Sequence, residues 1–225
     1  MFFPPAPAGA LRDRTEAGVR LAERLARYRD EHPVVLALPR GGVPVAFEIA
    51  RRLQAPLDVL IVRKIGAPMN PEYGLGALVE DGTRYLDERR VREAGYTVHD
   101  LDRTITTELE EVRRRAREYR RSLPPLDIRG RCVILVDDGV ATGGTLRAAI
   151  RSVRSRQPRR VVVTLGVCPR DTLRDLQAEA DEVIAIVVPE VFFAVGEWYS
   201  RFDQVSDAEV LRLLDRVPRP PAGSG

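Results

Sequence analysis

The sequence predicts an α/β fold, with a parallel sheet at the core of one domain. Three observations support this prediction. Short aliphatic runs of strand length alternate with helical segments along the chain. Two of these runs, Val34 to Leu38 and Val133 to Val136, lead into glycine-containing turns, and open α/β sheets bind ligands at such positions. The chain has 225 residues, 44% of them hydrophobic, which is enough for one such core.

The composition argues against several classes of partner. No apolar run reaches the length of a membrane span, and the N-terminus lacks a signal-peptide pattern. The net charge is only +3, with 36 basic and 33 acidic residues interleaved, so we expect neither nucleic acid nor a membrane as a partner. Cys132 and Cys168 belong to predicted buried strands or their edges and are expected to be reduced, as in the cytoplasm. Lys64 is the one lysine in the chain and therefore a candidate functional residue.

The elements follow from local patterns. The proline-rich residues 1–10 are expected to form a loose segment. Asp13 and Glu16 resemble a capping box that begins a helix. A hairpin is predicted around Asp81-Gly82. The other predicted helices and strands alternate along the chain: helix to Arg29, strand 34–38, helix 45–53, strand 57–65, hairpin strands 72–80 and 84–86, helix 100–122, central strand 133–136, helix 145–156, strand 160–167, helix 171–180, strand 182–188 and helix 207–216.

The long helix carries many charges. Its apolar residues recur every three or four positions, as expected for one buried stripe. Glu110 and Glu111 precede Arg114 and Arg115 by four residues, which is the spacing of helical ion pairs. The basic run Arg113 to Arg121 is therefore interpreted as a solvated face in preference to an RNA-binding patch.

The central motif comprises the strand Val133 to Val136, the acidic pair Asp137-Asp138 and a turn that leads into a helix near Thr145. The amides of Thr142 to Thr145 would point outward at the helix start, where they suit a phosphate. The two carboxylates suit sugar hydroxyls or a magnesium ion. A sugar phosphate with a free diol would satisfy both halves. The alternative is an ordinary strand–loop–helix connection, with Asp138 solvated and Thr142 capping the helix.

A second turn, Arg40-Gly41-Gly42, follows the strand 34–38. Its cation and backbone amides could surround an anion. It could equally be a tight turn whose arginine is solvated, and the residues alone leave both interpretations open. We predict unusual backbone geometry at Arg40-Gly41, either a cis peptide or a glycine with positive φ.

The fourteen residues Val133 to Leu146 resemble the phosphoribosyl pyrophosphate motif of the type I phosphoribosyltransferases. No lysine follows the glycines, so the motif is not a Walker loop. The segment Val62 to Gly66 resembles part of the adenine and orotate enzymes, and Glu72-Tyr73-Gly74 resembles part of the adenine enzymes. The resemblance covers about residues 12–216. It implies the type I phosphoribosyltransferase fold over residues 11–217, with a parallel-sheet core, a flexible hairpin loop, a small C-terminal hood at about 189–205, and a tail at 218–225.

The resemblance implies magnesium-dependent transfer of a phosphoribosyl group from phosphoribosyl pyrophosphate to a nitrogenous base, with release of pyrophosphate. The Thr142 turn, which comprises residues Thr142 to Thr145, would hold the 5-phosphate. Asp137 and Asp138 would hold the ribose hydroxyls. The same two carboxylates would hold Mg²⁺, either directly or through substrate and water. The implied catalytic residues are Asp137, Asp138, Lys64 and Arg63. The implied substrate-binding residues are Arg40, Gly41, Gly42, Ala141, Thr142, Gly143, Gly144, Thr145, Glu72, Phe193 and Trp198.

The acceptor base is the least determined part. Ala141 stands where 6-oxopurine enzymes carry an aspartate, which excludes hypoxanthine and guanine better than it selects among other bases. Phe193 and Trp198 are candidates to stack on the base, although such aromatics could equally pack a small second core or a dimer contact. Glu72 could orient the base or simply be solvated.

The alternative function is a regulatory protein that binds phosphoribosyl pyrophosphate without turnover. Because only about ten residues precede the first predicted helix, we expect no appended DNA-binding domain, which favours an enzyme. A homodimer is expected from the resemblance alone.

Overall fold

The computed structural model describes residues 10–217, which form two sheets and the helices around them. The predicted tail and all but the last residue of the predicted loose N-terminal segment lie outside these residues. The helices are α1 Arg14–Arg24, α2 Gly42–Leu53, α3 Glu88–Glu93, α4 Asp102–Arg120, α5 Gly144–Ser155, α6 Arg170–Gln177 and α7 Asp207–Leu214. The strands are β1 Val34–Ala37, β2 Leu57–Val59, β3 Val62–Ala67, β4 Asn70–Val79, β5 Arg84–Leu86, β6 Cys132–Gly139, β7 Arg160–Val167 and β8 Glu182–Val187.

The predicted α/β fold with a parallel core is confirmed. Five strands form a sheet in the order β2-β1-β6-β7-β8, and every neighbouring pair is parallel. The chain leaves β1 towards one edge of the sheet and β6 towards the other. The carboxyl ends of β1 and β6 therefore meet at the topological switch point, where open sheets bind ligands. The register pairs Ala37 with Val136, so the turn after β1 lies beside the acidic pair.

Alternate residues of β6 pack on opposite faces of the sheet, as the strand period requires. Ile134 and Val136 belong to an apolar layer shared with α1 and α2. Val133 and Leu135 belong to a second layer shared with α5. Burial on both faces explains why this strand is a continuous aliphatic run.

The strand predicted from Leu57 to Ile65 is in fact two strands, and this prediction was wrong in that respect. β2 ends at Val59, while β3 begins at Val62 and pairs with β4 in a separate antiparallel sheet of order β3-β4-β5. The break occurs because the chain leaves the edge of the parallel sheet after Leu60, whose amide still donates to the carbonyl of Ala37 at 2.9 Å. The hairpin predicted around Asp81-Gly82 is confirmed and is formed by β4 and β5. β3 and β4 form a second hairpin, where the resemblance implied a hairpin loop.

The position of the long helix was predicted correctly, but its ion pairs and the exposure of its arginines were predicted only in part. Arg115 pairs with Glu111 at 2.8 Å as expected, whereas Arg114 pairs with Glu111 and Glu118, not with Glu110. The interpretation of the basic run as a solvated face was wrong for Arg120, which is 7% exposed. Its guanidinium is buried because carboxylates of the neighbouring strands neutralise it.

The predicted hood, residues 189–205, follows β8 and contains a short 3₁₀ turn, Val195–Trp198. It pairs with the segment before α1, since the amide of Leu11 donates to Trp198 and that of Ser200 donates to Leu11, both at 2.8 Å. It also packs on the end of β6, where a Cβ atom on Gly139 would lie 2.5 Å from Val195. Within residues 10–217, no helix is long and apolar enough to cross a membrane.

Candidate functional site

The two glycine-containing turns meet at the switch point. A Cβ atom on Gly41 would lie 2.0 Å from Oδ2 of Asp138, and one on Gly42 would lie 2.5 Å from the carbonyl oxygen of Val136. No real Cβ atom tolerates such distances, so only glycine lets the β1 turn approach the acidic pair this closely. The structure therefore brings together two motifs that lie almost a hundred residues apart in the sequence.

The turn after β1 contains a cis peptide, at the bond between Pro39 and Arg40, whereas Gly41 has an ordinary φ of −59°. The predicted unusual backbone geometry is thus present, one bond before Arg40-Gly41. The guanidinium of Arg40 lies 3.8 Å from Oδ1 of Asp207 at the start of α7. The hydroxyl of Tyr119 donates to the same carboxylate oxygen, which fixes the group that faces Arg40.

The acidic pair is enclosed by protein groups. Nε of Arg14 donates to Oδ2 of Asp138 at 2.7 Å, and both side chains are 12% exposed. The hydroxyl of Tyr199 donates to the backbone carbonyl of Asp138 at 2.6 Å. Asp137 accepts a hydrogen bond from the amide of Asp138 at 2.9 Å. Burial, together with the negative charge of Asp138, raises the pKa of Asp137 well above its ordinary value.

The turn before α5 begins the helix without a side-chain cap. Gly143 is the N-cap residue with φ of +79°, and no side chain caps the helix. The alternative in which Thr142 caps the helix is therefore not what the structure shows. The hydroxyl of Thr172 donates to the carbonyl of Ala141 at 2.7 Å and so holds the turn from α6. The backbone amides of the first helical turn lie at the positive end of the helix dipole, where an anion would be stabilised.

α2 also begins on a glycine N-cap without a side-chain cap, but Gly41 has an ordinary φ of −59°. The amides of Gly42 and Val43 already donate to the carbonyls of Leu38 and Arg40, both at 3.1 Å. α1, α3 and α7 are capped by Asp13, Asp87 and Ser206, whereas α4 and α6 lack a side-chain cap as α2 and α5 do. Two helix starts without side-chain caps thus converge on the crevice between β1 and β6, one from each glycine-containing turn.

The hairpin separates Arg63 from Lys64. Arg63 is opposite Leu78, in the layer that faces α4, and its guanidinium pairs with Glu108 and lies 3.8 Å from Glu111. Lys64 is opposite Ala77, in the layer that faces α5, and its side chain is exposed. Strand alternation therefore places the lysine, and not the arginine, on the side of the Thr142 turn.

The remaining predicted substrate-binding residues lie further out. Glu72 is exposed near the hairpin tip, and Phe193 is 81% exposed. Trp198 is half-buried against the apolar layer of α1 and α2. Their roles towards a base stay predictions.

Sequence reasoning missed the groups that surround Asp138: Arg14, Tyr199 and Phe202. Tyr199 and Phe202 stack with ring centroids 5.1 Å apart, and the guanidinium of Arg14 lies 3.9 Å from the centre of the Phe202 ring. The concentration of aromatics after the last strand was the available signal, but nothing local linked it to Arg14.

The acidic pair fits magnesium only in part. Within residues 10–217, no group of three or more His, Cys, Asp or Glu side chains could hold a metal ion. Mg²⁺ commonly takes one or two carboxylates, several waters and substrate phosphates. Asp137 and Asp138 match that arrangement, provided that a phosphorylated substrate and water complete the coordination.

The fold and these turns define a doubly wound α/β protein whose crevice lies between β1 and β6. The family of the phosphoribosyl transferase domain matches residues 12–199. The chain belongs to this family, and the resemblance seen in the sequence is confirmed.

Three relatives illustrate the match. A solved protein of Thermus thermophilus is 47% identical with a TM-score of 0.77, covering 91% of this chain and 97% of that chain. A Mycobacterium tuberculosis protein, provisionally named a phosphoribosyl transferase, is 45% identical over 213 residues. The alignment covers 95% of this chain and 48% of the relative, so the chain spans about half that protein's length. The bifunctional protein PyrR of Chloroflexus aurantiacus is 31% identical over 176 residues, 77% of this chain and 90% of that protein.

Proposed function

We propose that this chain transfers the phosphoribosyl group of phosphoribosyl pyrophosphate to a nitrogenous base. The convergence of the acidic pair Asp137-Asp138, the uncapped Thr142 turn and the Arg40 turn at one switch point carries this proposal. In the reaction, the bond between the anomeric carbon and pyrophosphate breaks, and pyrophosphate leaves with the electron pair. A bond from the base nitrogen to that carbon forms, and the nitrogen loses a proton.

Each half of the site has a task in this reaction. The amides of the Thr142 turn bind the 5-phosphate, and Asp137 and Asp138 bind the ribose hydroxyls. The Arg40 turn and Lys64 face the pyrophosphate, where negative charge grows as the bond breaks. Magnesium bound with the substrate would neutralise part of that charge. The protein's contribution is mainly positioning and preorganised electrostatics.

Arg63 differs from Lys64 in this scheme. Because its guanidinium is engaged by Glu108 on α4, it would support the hairpin unless the hairpin rearranges when substrate binds. Magnesium dependence, a homodimer and a cytoplasmic location stay predictions.

Calorimetric titration with phosphoribosyl pyrophosphate and magnesium tests the donor site. The Asp137→Asn, Asp138→Asn double variant should bind more weakly, since hydrogen bonds to charged groups contribute roughly 1.5–3 kcal/mol. Asp30→Asn is the control, because Asp30 is an exposed carboxylate remote from the crevice. Unchanged affinity in the double variant would contradict the assignment of the acidic pair.

Release of pyrophosphate with a panel of bases tests the acceptor. We expect negligible turnover with hypoxanthine and guanine because Ala141 cannot exchange a proton with the purine ring, and adenine is the first candidate. Tight binding of phosphoribosyl pyrophosphate without turnover on any base would favour the regulatory alternative.

A further inference from the structure

Arg14 is the first residue of α1, and it contacts the crevice from a site 124 residues away from Asp138 in the sequence. Three contacts fix its guanidinium. Nε donates to the Asp138 carboxylate at 2.7 Å, and a terminal nitrogen donates to the backbone carbonyl of Asp203 at 2.7 Å. The flat face lies over the Phe202 ring, which adds a cation–π contact. With 12% of its side chain exposed, the group is too enclosed to serve as an open substrate ligand.

The hood holds the backbone of the same aspartate. The Tyr199 hydroxyl donates to the Asp138 carbonyl, and its ring stacks on Phe202. Gly166 on β7 makes the contact possible, because a Cβ atom there would lie 1.9 Å from the Tyr199 oxygen. Both the side chain and the main chain of Asp138 are therefore tied to one cluster, which consists of Arg14, Tyr199 and Phe202.

A guanidinium suits this position better than an ammonium group. Its planar fork can bond a carboxylate and a carbonyl in fixed directions while its face covers an aromatic ring. A lysine could reach one of these partners as a point charge but could not reproduce all three contacts. The first of these contacts reaches Oδ2 of Asp138, the oxygen that a Cβ atom on Gly41 would meet at 2.0 Å.

We propose that Arg14 is a positioning residue for the donor site, one that holds the Asp138 carboxylate in the orientation that binds ribose and couples it to the hood. This inference rests on the proposed function. Without Arg14, the carboxylate would lose its partner and sample other rotamers, so binding of phosphoribosyl pyrophosphate would weaken although no direct ligand was removed. The loss should be roughly 10–100-fold, the range found for groups that orient a metal ligand from outside.

Calorimetric titration of the full chain with phosphoribosyl pyrophosphate and magnesium tests the inference. We expect Arg14→Gln to raise the dissociation constant roughly 10–100-fold and Arg14→Lys to recover part of the loss. Arg20→Gln is the control, because Arg20 lies on the same helix and its side chain is 40% exposed beside Glu16. In steady state, the Michaelis constant for phosphoribosyl pyrophosphate should rise, whereas a merely smaller folded fraction would lower only the turnover.

A double-mutant cycle separates positioning through Asp138 from general destabilisation. In an Asp138→Asn background, Arg14→Gln should cause little additional loss, since the group through which it acts is already altered. If Arg14→Gln does not fold, Arg14→Lys decides: it keeps the positive charge but cannot reproduce all three contacts, so it should still bind several-fold more weakly than the wild type. Wild-type affinity in Arg14→Gln, or in Arg14→Lys where that variant decides, would overturn the positioning role. Failure of the wild type itself to bind phosphoribosyl pyrophosphate would instead overturn the proposed function.

Discussion

Replacing Arg120 by methionine should destabilise the protein strongly, although the residue lies in a basic run on the surface helix α4. Its side chain is 6% exposed and contacts two carboxylates. Nε donates to Asp58 at 2.9 Å, while the two terminal nitrogens donate to the Glu80 oxygens at 2.7 and 2.6 Å. This guanidinium therefore connects the end of β2 with the end of the antiparallel sheet.

The magnitude follows from what the substitution leaves behind. The side chains of Asp58 and Glu80 are 3% and 12% exposed, and breaking a buried ion pair typically costs about 3–5 kcal/mol because a charge stays buried without its partner. Asp58 retains hydrogen bonds from the amides of Val59 and Leu126 at 2.8 and 3.0 Å. We therefore expect a loss near the lower end, about 3 kcal/mol.

Urea unfolding followed by circular dichroism measures this loss as a lower midpoint at unchanged slope. Arg117→Met is the matched control: it lies one turn earlier on α4, is exposed, and should change stability by less than about 0.5 kcal/mol. Adding Glu80→Met to Arg120→Met should recover part of the loss, because it removes the buried charge of Glu80, which has lost Arg120 as its partner. A single Arg120→Met variant within about 1 kcal/mol of wild type would refute the reasoning.

Three further predictions concern the crevice and the core. Lys64→Ala should lower the turnover more than it raises the dissociation constant for phosphoribosyl pyrophosphate, because in the proposed reaction the lysine would meet charge that develops on pyrophosphate; steady-state kinetics equal to wild type would contradict this. Gly41→Ala should abolish measurable donor binding by calorimetry because its Cβ atom would collide with Asp138, whereas Gly74→Ala, whose Cβ atom would meet nothing within 4 Å, should bind normally. Burial raises the pKa of Cys132 to about 11 and that of Cys168 to about 12. At about pH 8, near the pKa of a free thiol, neither thiol should therefore react with a thiol reagent until the protein is unfolded. Rapid labelling of the native protein would contradict the burial. Because both pKa values are raised on folding, the stability that the protonated thiols contribute should be lost as the pH rises from about 9 towards 11.

Each motif that the sequence predicted for the site is contiguous in the chain. Asp137, Asp138 and the Thr142 turn belong to one run of residues, so their spacing alone indicated a strand, an acidic pair and a helix start. The contacts that hold these groups are not contiguous. Arg14 is 124 residues from Asp138 and Tyr199 is 61 residues from it, and no local period reports such a pairing.

Periodicity also cannot show which residues near the end of a helix are covered by other elements. Arg120 lies four residues after the buried Ala116 and therefore continues the inward stripe of α4. Its charge suggested the solvent face, whereas two buried carboxylates, Asp58 on β2 and Glu80 after β4, reversed that assignment. The break between β2 and β3 was hidden for a related reason, since Leu60 and Ile61 are buried and prolong the apolar run through the point at which the chain changes sheets.

In the proposed reaction, the hood has a second task besides facing the acceptor base. Its residues Tyr199 and Phe202 hold Asp138 with Arg14, and the helix that follows the hood places Asp207 opposite Arg40. The carboxylate expected to bind ribose is therefore held by the segment expected to bind the base, and Arg40 faces the helix directly after that segment. Any displacement of the hood by an acceptor would also move the partners of Asp138. Binding of the base should for this reason change the affinity for phosphoribosyl pyrophosphate, and linkage requires the reverse effect to be equal.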